Sequence, residues 1–283
     1  MPSKSPINLP RPTCLCGWNR FQKVFAYHAP PEGETRFSFS SGEAYYREVL
    51  RCEVCHHFIS LYHQDLAEIY QNDYVSSTYG DDAEIQRAFQ RIMALPPARS
   101  DNVGRVKRVV DFAASYLTEP LLEKRPPTVL DVGCGLGVFL ARMKEAGWQG
   151  TGLDVDPRLI EYAQDSVGVA AVRGDFMAAE DLGQFDVVTF NKVLEHVTDP
   201  VPMLARSAVN LRQHGFIYVE VPDGEAAMAA GPEREEFCIE HHHIFSMASL
   251  ALLASRAGFL VRQMERLQEP STKYTLRAFL VRL

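Results

Sequence analysis

The sequence contains no run of about 18 uninterrupted apolar residues, so no segment reads as a bilayer-spanning helix. Its first residues, MPSKSPINLPRP, have one lysine and no apolar stretch behind it. That lacks the pattern of a secretory signal, and the expectation is a cytoplasmic protein. Also missing are a long Lys/Arg run, an internal repeat and a low-complexity tract. With 29 Lys+Arg against 36 Asp+Glu the net charge is −7, so no whole-chain field draws in phosphate backbones and nucleic acid is a disfavoured partner. Cysteine is sparse at six, and four of these form two close pairs, Cys14 with Cys16 and Cys52 with Cys55. In a reducing compartment that distribution points to metal before disulfide. What remains, 46% hydrophobic and 23% charged residues over 283 positions, suffices for one large domain or one domain plus a small module.

Up to about Tyr79 the chain is rich in aromatics, Pro, Ser and Cys and shows no long helical period. It reads as a loop-rich module with short strands at Gln22 to Tyr27 and Thr35 to Phe39. After Asp81 the apolar residues Ile85, Phe89 and Ile92, then Val106, Val109, Val110, Ala113 and Leu117, recur at amphipathic helical spacing, interrupted by Pro96-Pro97. From Thr128, short apolar strands alternate with helical stretches: TVLDVG, GTGLDVD, AAVRGDF, FDVVTF and GFIYVEV. Such alternation specifies an α/β fold, a parallel sheet with helices on both faces.

The strongest motif is Val129-Leu130-Asp131-Val132-Gly133-Cys134-Gly135-Leu136-Gly137, a strand entering a glycine turn ahead of a helix near Phe139. Glycines there let a ligand lie against bare main chain at the carboxyl end of the first strand. The spacing G-x-G-x-G puts Val138 where a dinucleotide fingerprint needs its last glycine, and Asp131 would repel a pyrophosphate but welcome a cation. Asp154 ends the second strand about twenty residues on, where a carboxylate accepts ribose hydroxyls; Asp156 is an alternative if the register slips. Gly174-Asp175-Phe176 offers a carboxylate for an exocyclic amine and a ring for a purine. Three acids without an arginine clamp describe an adenosine with a positive tail.

VLDVGCGLG, GLDVD, RGDF, FDVVTFNKVLEHV and a late GF before two final strands resemble the class I S-adenosylmethionine-dependent methyltransferases, over about Thr128 to Leu283. The resemblance implies a Rossmann-like methyltransferase sheet, mostly parallel with its last strand antiparallel. It divides the chain into a zinc-binding module (1–80), a helical linker or cap (81–127) and a cofactor-binding domain (128–283). It also implies that Asp131 and the backbone of Gly133, Gly135 and Gly137 face the methionine end of the cofactor. Asp154 then holds the ribose, Asp175 with Phe176 holds the adenine, and Asn191 joins the cofactor's neighbours. Cys134 is a small loop residue with no redox duty.

Methyl transfer from a sulfonium is an in-line displacement, so a hydroxyl acceptor needs orientation, exclusion of water and one base. In the resembling family the Leu194-Glu195-His196 stretch borders the cofactor; otherwise Glu195 and His196 open the next helix, the reading favoured for Glu195. Glu240-His241-His242-His243, followed by Ile244-Phe245-Ser246, looks like the acceptor-side block of bacterial methyltransferases acting on sugars and small metabolites. Three consecutive histidines cannot all face one way, so His241 and His243 are the pair expected at a pocket, with His241 as base and Glu240 orienting or charging a ring. Tyr74 and Tyr79 belong to a stretch that in the resembling proteins folds over the acceptor.

Cys52-Glu53-Val54-Cys55 has the spacing of a zinc knuckle, and Cys14 with Cys16 could complete four thiolates around structural Zn²⁺. C-x-C is tighter than the usual knuckle, so His56, His57 or His28 stands as an alternative ligand. The module resembles the N-terminal part of sugar C-methyltransferases, although those carry a further C-terminal domain. The expected activity is methyl transfer to a hydroxyl or activated carbon of a small acceptor such as a sugar or sugar nucleotide. An RNA methyltransferase with a four-cysteine module, and a non-catalytic subunit of the same fold, are the competing readings; a nicotinamide dehydrogenase is disfavoured by Asp131 and Val138. Subunit number is not legible.

Overall fold

A computed structural model of the chain describes residues 12–32, 34, 45–62, 81–118 and 123–283. Tyr74, Tyr79 and the strand expected at 35–39 lie outside the described residues.

The alternating segments form one seven-stranded sheet. Its strands are β4 (Thr128–Val132), β5 (Gln149–Asp154), β6 (Ala170–Arg173), β7 (Phe185–Asn191), β8 (Leu211–Pro222), β10 (Phe259–Gln268) and β11 (Tyr274–Arg282). Their order is β10-β11-β8-β7-β4-β5-β6. β4, β5, β6, β7 and β8 run parallel, whereas β11 pairs antiparallel with both β8 and β10. The mostly parallel sheet with a reversed final strand is therefore observed.

Successive strand residues point to opposite faces, and the two faces bury different helices. Leu130, Val188, Ile217 and Val219 pack with Leu204 of α5 (Pro200–Asn210) and Leu250 and Leu253 of α7 (Met247–Arg256). Val129, Val187, Phe216 and Tyr218 pack with Val109 and Ala113 of α2 (Asp101–Tyr116) and Phe139 and Leu140 of α3 (Val138–Glu145). Near-continuous apolar strands follow from cover on both faces. Helix starts are set locally. Asp81 and Glu84 form a capping box for α1 (Asp82–Met93), Asp156 caps α4 (Pro157–Tyr162), and Asp199 caps α5, with proline at the first helical position of α4 and α5.

The N-terminal segment forms a second sheet, β1 (Phe21–Tyr27), β2 (Arg47–Cys52) and β3 (Phe58–Tyr62), all antiparallel. Its fourth strand, β9 (His243–Ile244), comes from the histidine segment, with Phe58 opposite Ile244 and Ile59 opposite His243. The two sheets are thereby joined at the segment expected to carry the base. Tyr62 donates from its hydroxyl to the carbonyls of Ile239 and His241, at 2.6 and 3.0 Å, and Arg47 donates to the carbonyl of Phe237. Underneath, α6 (Gly224–Ala230) follows β8 and is capped by Asp223.

Candidate active site

The loop after β4 turns back through three left-handed glycines, Gly133 (φ 68°), Gly135 (φ 50°) and Gly137 (φ 71°). Side chains disfavour that region, and a Cβ on Gly133 would also lie 2.8 Å from Val193 Cγ2. Gly133 and Cys134 donate their N–H groups to the carbonyl of Leu153, fixing the loop over the end of β5. A cavity of about 570 Å³ opens there, lined by Gly133, Gly135, Asp154, Asp175, Phe176, Asn191, Lys192 and His196 among others.

Asp154 lines this cavity with Oδ2 accepting from Gly135 N–H at 2.9 Å and Oδ1 from Asp156 N–H at 3.1 Å; burial raises its pKa. Asp156 itself is buried as the cap of α4 and does not line the cavity, so the alternative register is not used. Asp175 is exposed and lies beside the largely buried ring of Phe176. Two of the residues assigned to the cofactor sit elsewhere. Gly137 caps α3 behind the loop, and Asp131 is 1% exposed beneath it; neither lines the cavity. The register places Asp131 opposite Thr189, whose hydroxyl donates to Oδ1 at 2.6 Å, and Asn191 Nδ2 donates to the same oxygen at 2.7 Å. Asp131 thus holds Asn191 from beneath the cavity, and burial lifts its carboxyl to about 7. Asn191 Oδ1 is buried without a hydrogen-bond partner among the described residues, an acceptor still to be satisfied.

A second cavity, of about 280 Å³, shares Lys192 and His196 with the first. Its wall also holds Glu195, Glu240, His241, Lys273 and Tyr274. Two backbone hydrogen bonds assemble it: His242 and His243 donate their N–H groups to the carbonyl of Glu195, at 2.8 and 3.1 Å. Glu195 and His196 precede α5 by several residues and so do not open it. His196 donates from Nδ1 to the carbonyl of Glu240 at 3.0 Å, and His241 from Nδ1 to that of Glu236 at 2.8 Å. A carbonyl can only accept, so each neutral ring carries its lone pair on Nε2. The rings meet edge to face with centroids 4.9 Å apart, and burial holds both pKa values below the usual imidazole range.

The expectation for His243 fails on geometry. Its Nδ1 faces His57 Nε2 at 2.9 Å and its Nε2 the carbonyl of Thr198 at 3.1 Å, so it pins β9 to β3 and lines neither cavity. Glu240 lines the second cavity with its side chain, but the group it offers His196 is its carbonyl.

One family model, described as a methyltransferase domain, matches residues 99–264, more than half of the chain. The chain belongs to the methyltransferase domain family. Its sheet is that of the class I S-adenosylmethionine-dependent methyltransferases. Magnesium protoporphyrin IX methyltransferase from Synechocystis PCC 6803, solved with bound SAH, superposes with a TM-score of 0.55 at 15% identity, covering 76% of this chain and 100% of that one. The 1,6-didemethyltoxoflavin-N1-methyltransferase of Burkholderia thailandensis gives 0.52 at 20% identity, covering 90% and 99%. In sequence, the ubiquinone biosynthesis O-methyltransferase of Xanthomonas axonopodis pv. citri (strain 306) is 35% identical over 105 residues, 35% of this chain and 44% of the relative. That of Bordetella pertussis (strain Tohama I / ATCC BAA-589 / NCTC 13251) is 36% identical over 97 residues, 32% and 40%. The chain thus spans less than half the length of these curated relatives.

Around the methyltransferase domain's cavities lie residues that the sequence did not reveal. Lys192 is a cation in a cleft whose sequence signals were acids. It has a left-handed backbone (φ 61°) and donates from Nζ to Thr275 Oγ1 at 3.0 Å. Burial lowers its pKa, and Glu220 and Glu195 oppose that shift, so its charge is already offset from inside the protein. Glu220 on β8 accepts from Arg105, from Arg277 at 3.1 Å and from Tyr218 at 2.9 Å, forming the buried floor under Lys192.

Away from both cavities, the four cysteines of the N-terminal segment converge. Cys14 Sγ lies 3.3 Å from Cys55 Sγ, Cys16 Sγ lies 3.6 Å from Cys52 Sγ, and all four sulfurs fall within 4.8 Å of one another. Four thiolates around Zn²⁺ at about 2.3 Å stand about 3.8 Å apart, close to this spacing, so the donor set fits. His57 is committed to Ser249 and His243, and His56 to Glu225, so neither replaces a cysteine. α7 holds the cluster in place through Ser246 Oγ on the carbonyl of Cys55 and Arg256 on that of Leu15.

Proposed function

We propose that this chain catalyses S-adenosylmethionine-dependent methyl transfer to a hydroxyl of a small polar acceptor, a sugar or sugar-like metabolite. The observation that carries the reading is the junction of two cavities at Lys192 and His196. One cavity has the acids and the ring suited to an adenosyl group, the other two neutral imidazoles. When bound, S-adenosylmethionine supplies an electrophilic methyl on a sulfonium.

In this reading Asp154 accepts the ribose hydroxyls, Phe176 packs the adenine beside Asp175, and Asn191 Oδ1 takes a donor from the methionine end. The bare main chain of Gly133 and Gly135 lets the ligand approach. His241 accepts the acceptor's proton on Nε2, with its Nδ1–H held by the Glu236 carbonyl, and His196 orients the acceptor beside it. Glu240 contributes polar wall. Tyr74 and Tyr79 remain proposed acceptor contacts. The cluster of Cys14, Cys16, Cys52 and Cys55 would hold a structural Zn²⁺, closed to chemistry by its four thiolates. It steadies β2 and β3, on which the histidine segment is strung.

The test has two stages. Isothermal calorimetry with S-adenosylmethionine is expected to show one site. Release of S-adenosylhomocysteine is then followed with a panel of hydroxylated sugars, sugar nucleotides and phenols, and turnover is expected to fall at least a hundredfold in His241→Asn. Absence of cofactor binding, or turnover indifferent to His241, overturns the reading.

A further inference from the structure

One group in the second cavity has no role so far. Glu195 is fully buried, and neither carboxylate oxygen has a hydrogen-bond partner among the described residues. A carboxylate stripped of water and left without donors is costly, so it is retained for a group or a charge that arrives during function. One of its oxygens, one ring nitrogen of His196 and one of His241 all lie within 4.8 Å of one another.

The charge balance of methyl transfer says what arrives. The acceptor O–H bond breaks and its proton goes to Nε2 of His241. The oxygen's electron pair forms the new O–CH₃ bond, while the CH₃–S bond breaks with its pair left on sulfur. A sulfonium becomes a neutral thioether, so the positive charge has moved onto a buried imidazole. Burial, helped by His196, Lys192 and Lys273, holds that ring well below the usual range, which keeps it neutral and ready but makes it a poor place to leave a proton.

We propose that Glu195 and His241 act as one proton-accepting unit, the imidazole drawing the proton from the acceptor and the carboxylate carrying it afterwards. The inference rests on the methyl-transfer reading and assigns that reading's proton a destination. Glu195 acts through His241 and is a positioning residue for the reaction. Burial raises its carboxyl to about 7, near the working pH expected of a proton acceptor. The charges around it come from every neighbouring element. Lys192 follows β7, Glu220 lies on β8, Lys273 precedes β11, His196, Glu240 and His241 belong to the two loops, and Glu34, Glu235 and Glu236 complete the cavity wall. Lys192 and Lys273 favour the carboxylate, and Glu220 opposes it. In the proposal the two groups, this close together, take up the proton as a pair rather than one by one.

The experiment needs no acceptor. Side-chain ¹⁵N resonances of His241, assigned by their loss in His241→Asn, are followed between pH 5.5 and 8.5 on full-length protein saturated with S-adenosylhomocysteine. In the wild type His241 is expected to report proton uptake near pH 7, and in Glu195→Gln the midpoint is expected to fall by at least one unit, a tenfold loss of proton affinity. If Glu195→Gln does not fold, the reciprocal measurement follows the Glu195 ¹³C carboxyl resonance, whose midpoint is expected to shift in His241→Asn. Equal midpoints in wild type and variant, or no response of His241 near neutrality, overturn the proposal. So does one Zn²⁺ bound beyond the four-cysteine site and lost in Glu195→Gln, since the cluster would then be a metal site. Calorimetry with S-adenosylhomocysteine on the same preparations tests the methyl-transfer reading separately.

Discussion

Two fully buried glutamates, both acting on Lys192, are expected to respond oppositely to loss of charge. Glu195 has no hydrogen-bond partner among the described residues, and burial raises it from 4.5 to about 7. Its folded pKa exceeds its unfolded one, so ionising it costs stability as pH rises from about 4.5 to 7. At about 1.4 kcal/mol per unit the full cost above pH 7 is about 3 kcal/mol. Glu195→Gln is therefore expected to gain up to about 3 kcal/mol at pH 8 and less than about 1 kcal/mol at pH 5. Glu220 is the reverse case: Arg105, Lys192 and Arg277 hold its carboxyl well below the usual range against the opposing effect of burial. Its contribution is present above the unfolded pKa and is lost only as pH falls through the much lower folded one. Glu220→Gln leaves buried guanidinium groups without their anion, so a loss of about 3–5 kcal/mol is expected at both pH values. Urea unfolding of the three proteins at pH 8 and pH 5 measures all of this. A Glu195→Gln protein less stable than wild type at pH 8, a gain that does not shrink at pH 5, or a neutral Glu220→Gln would refute the reasoning.

Asp154→Ala removes the carboxylate assigned to two ribose hydroxyls. At about 1.5–3 kcal/mol for a hydrogen bond to a charged group, S-adenosylhomocysteine affinity measured by calorimetry should weaken at least tenfold. Gly133→Ala forces a left-handed alanine with its Cβ 2.8 Å from Val193 Cγ2, and a stability loss of about 1–2 kcal/mol by urea unfolding, with weaker cofactor binding, is expected. Cys55→Ser should abolish bound zinc measured by elemental analysis, and a strong chelator should lower the wild-type melting temperature but not that of the variant.

How far the sequence foretold the site depends on what kind of signal each residue gives. Alternating strands and helical periods placed the sheet and its helices, because burial on both faces dictates those patterns locally, whereas the reversed last strand came only from the family resemblance. The glycine loop was legible from its backbone: only glycine sits easily at the three positive φ values of Gly133, Gly135 and Gly137. Asp131 was legible as an acid but not as to what it touches, which depends on the register of β4 against β7 and on Thr189 lying opposite. His243 misled because alternation along an extended segment says which residues share a face, not which face meets the cavity. Here β9 pairs with β3 and turns His243 onto His57. Lys192 carried no signal of its own and Glu195 was read as a helix opener, since their importance comes from burial and from partners distant in sequence. The four cysteines were legible as a set, and the structure adds that His56 and His57 are engaged elsewhere.

The central claim is that the acid-lined cavity over the glycine loop receives an adenosyl group. Crystals of the protein grown with S-adenosylhomocysteine test it most directly. The account expects density with the ribose on Asp154, the adenine against Phe176 and the amino acid end reaching Asn191. An empty cavity at saturating ligand, or NADH held there in its place, would contradict it.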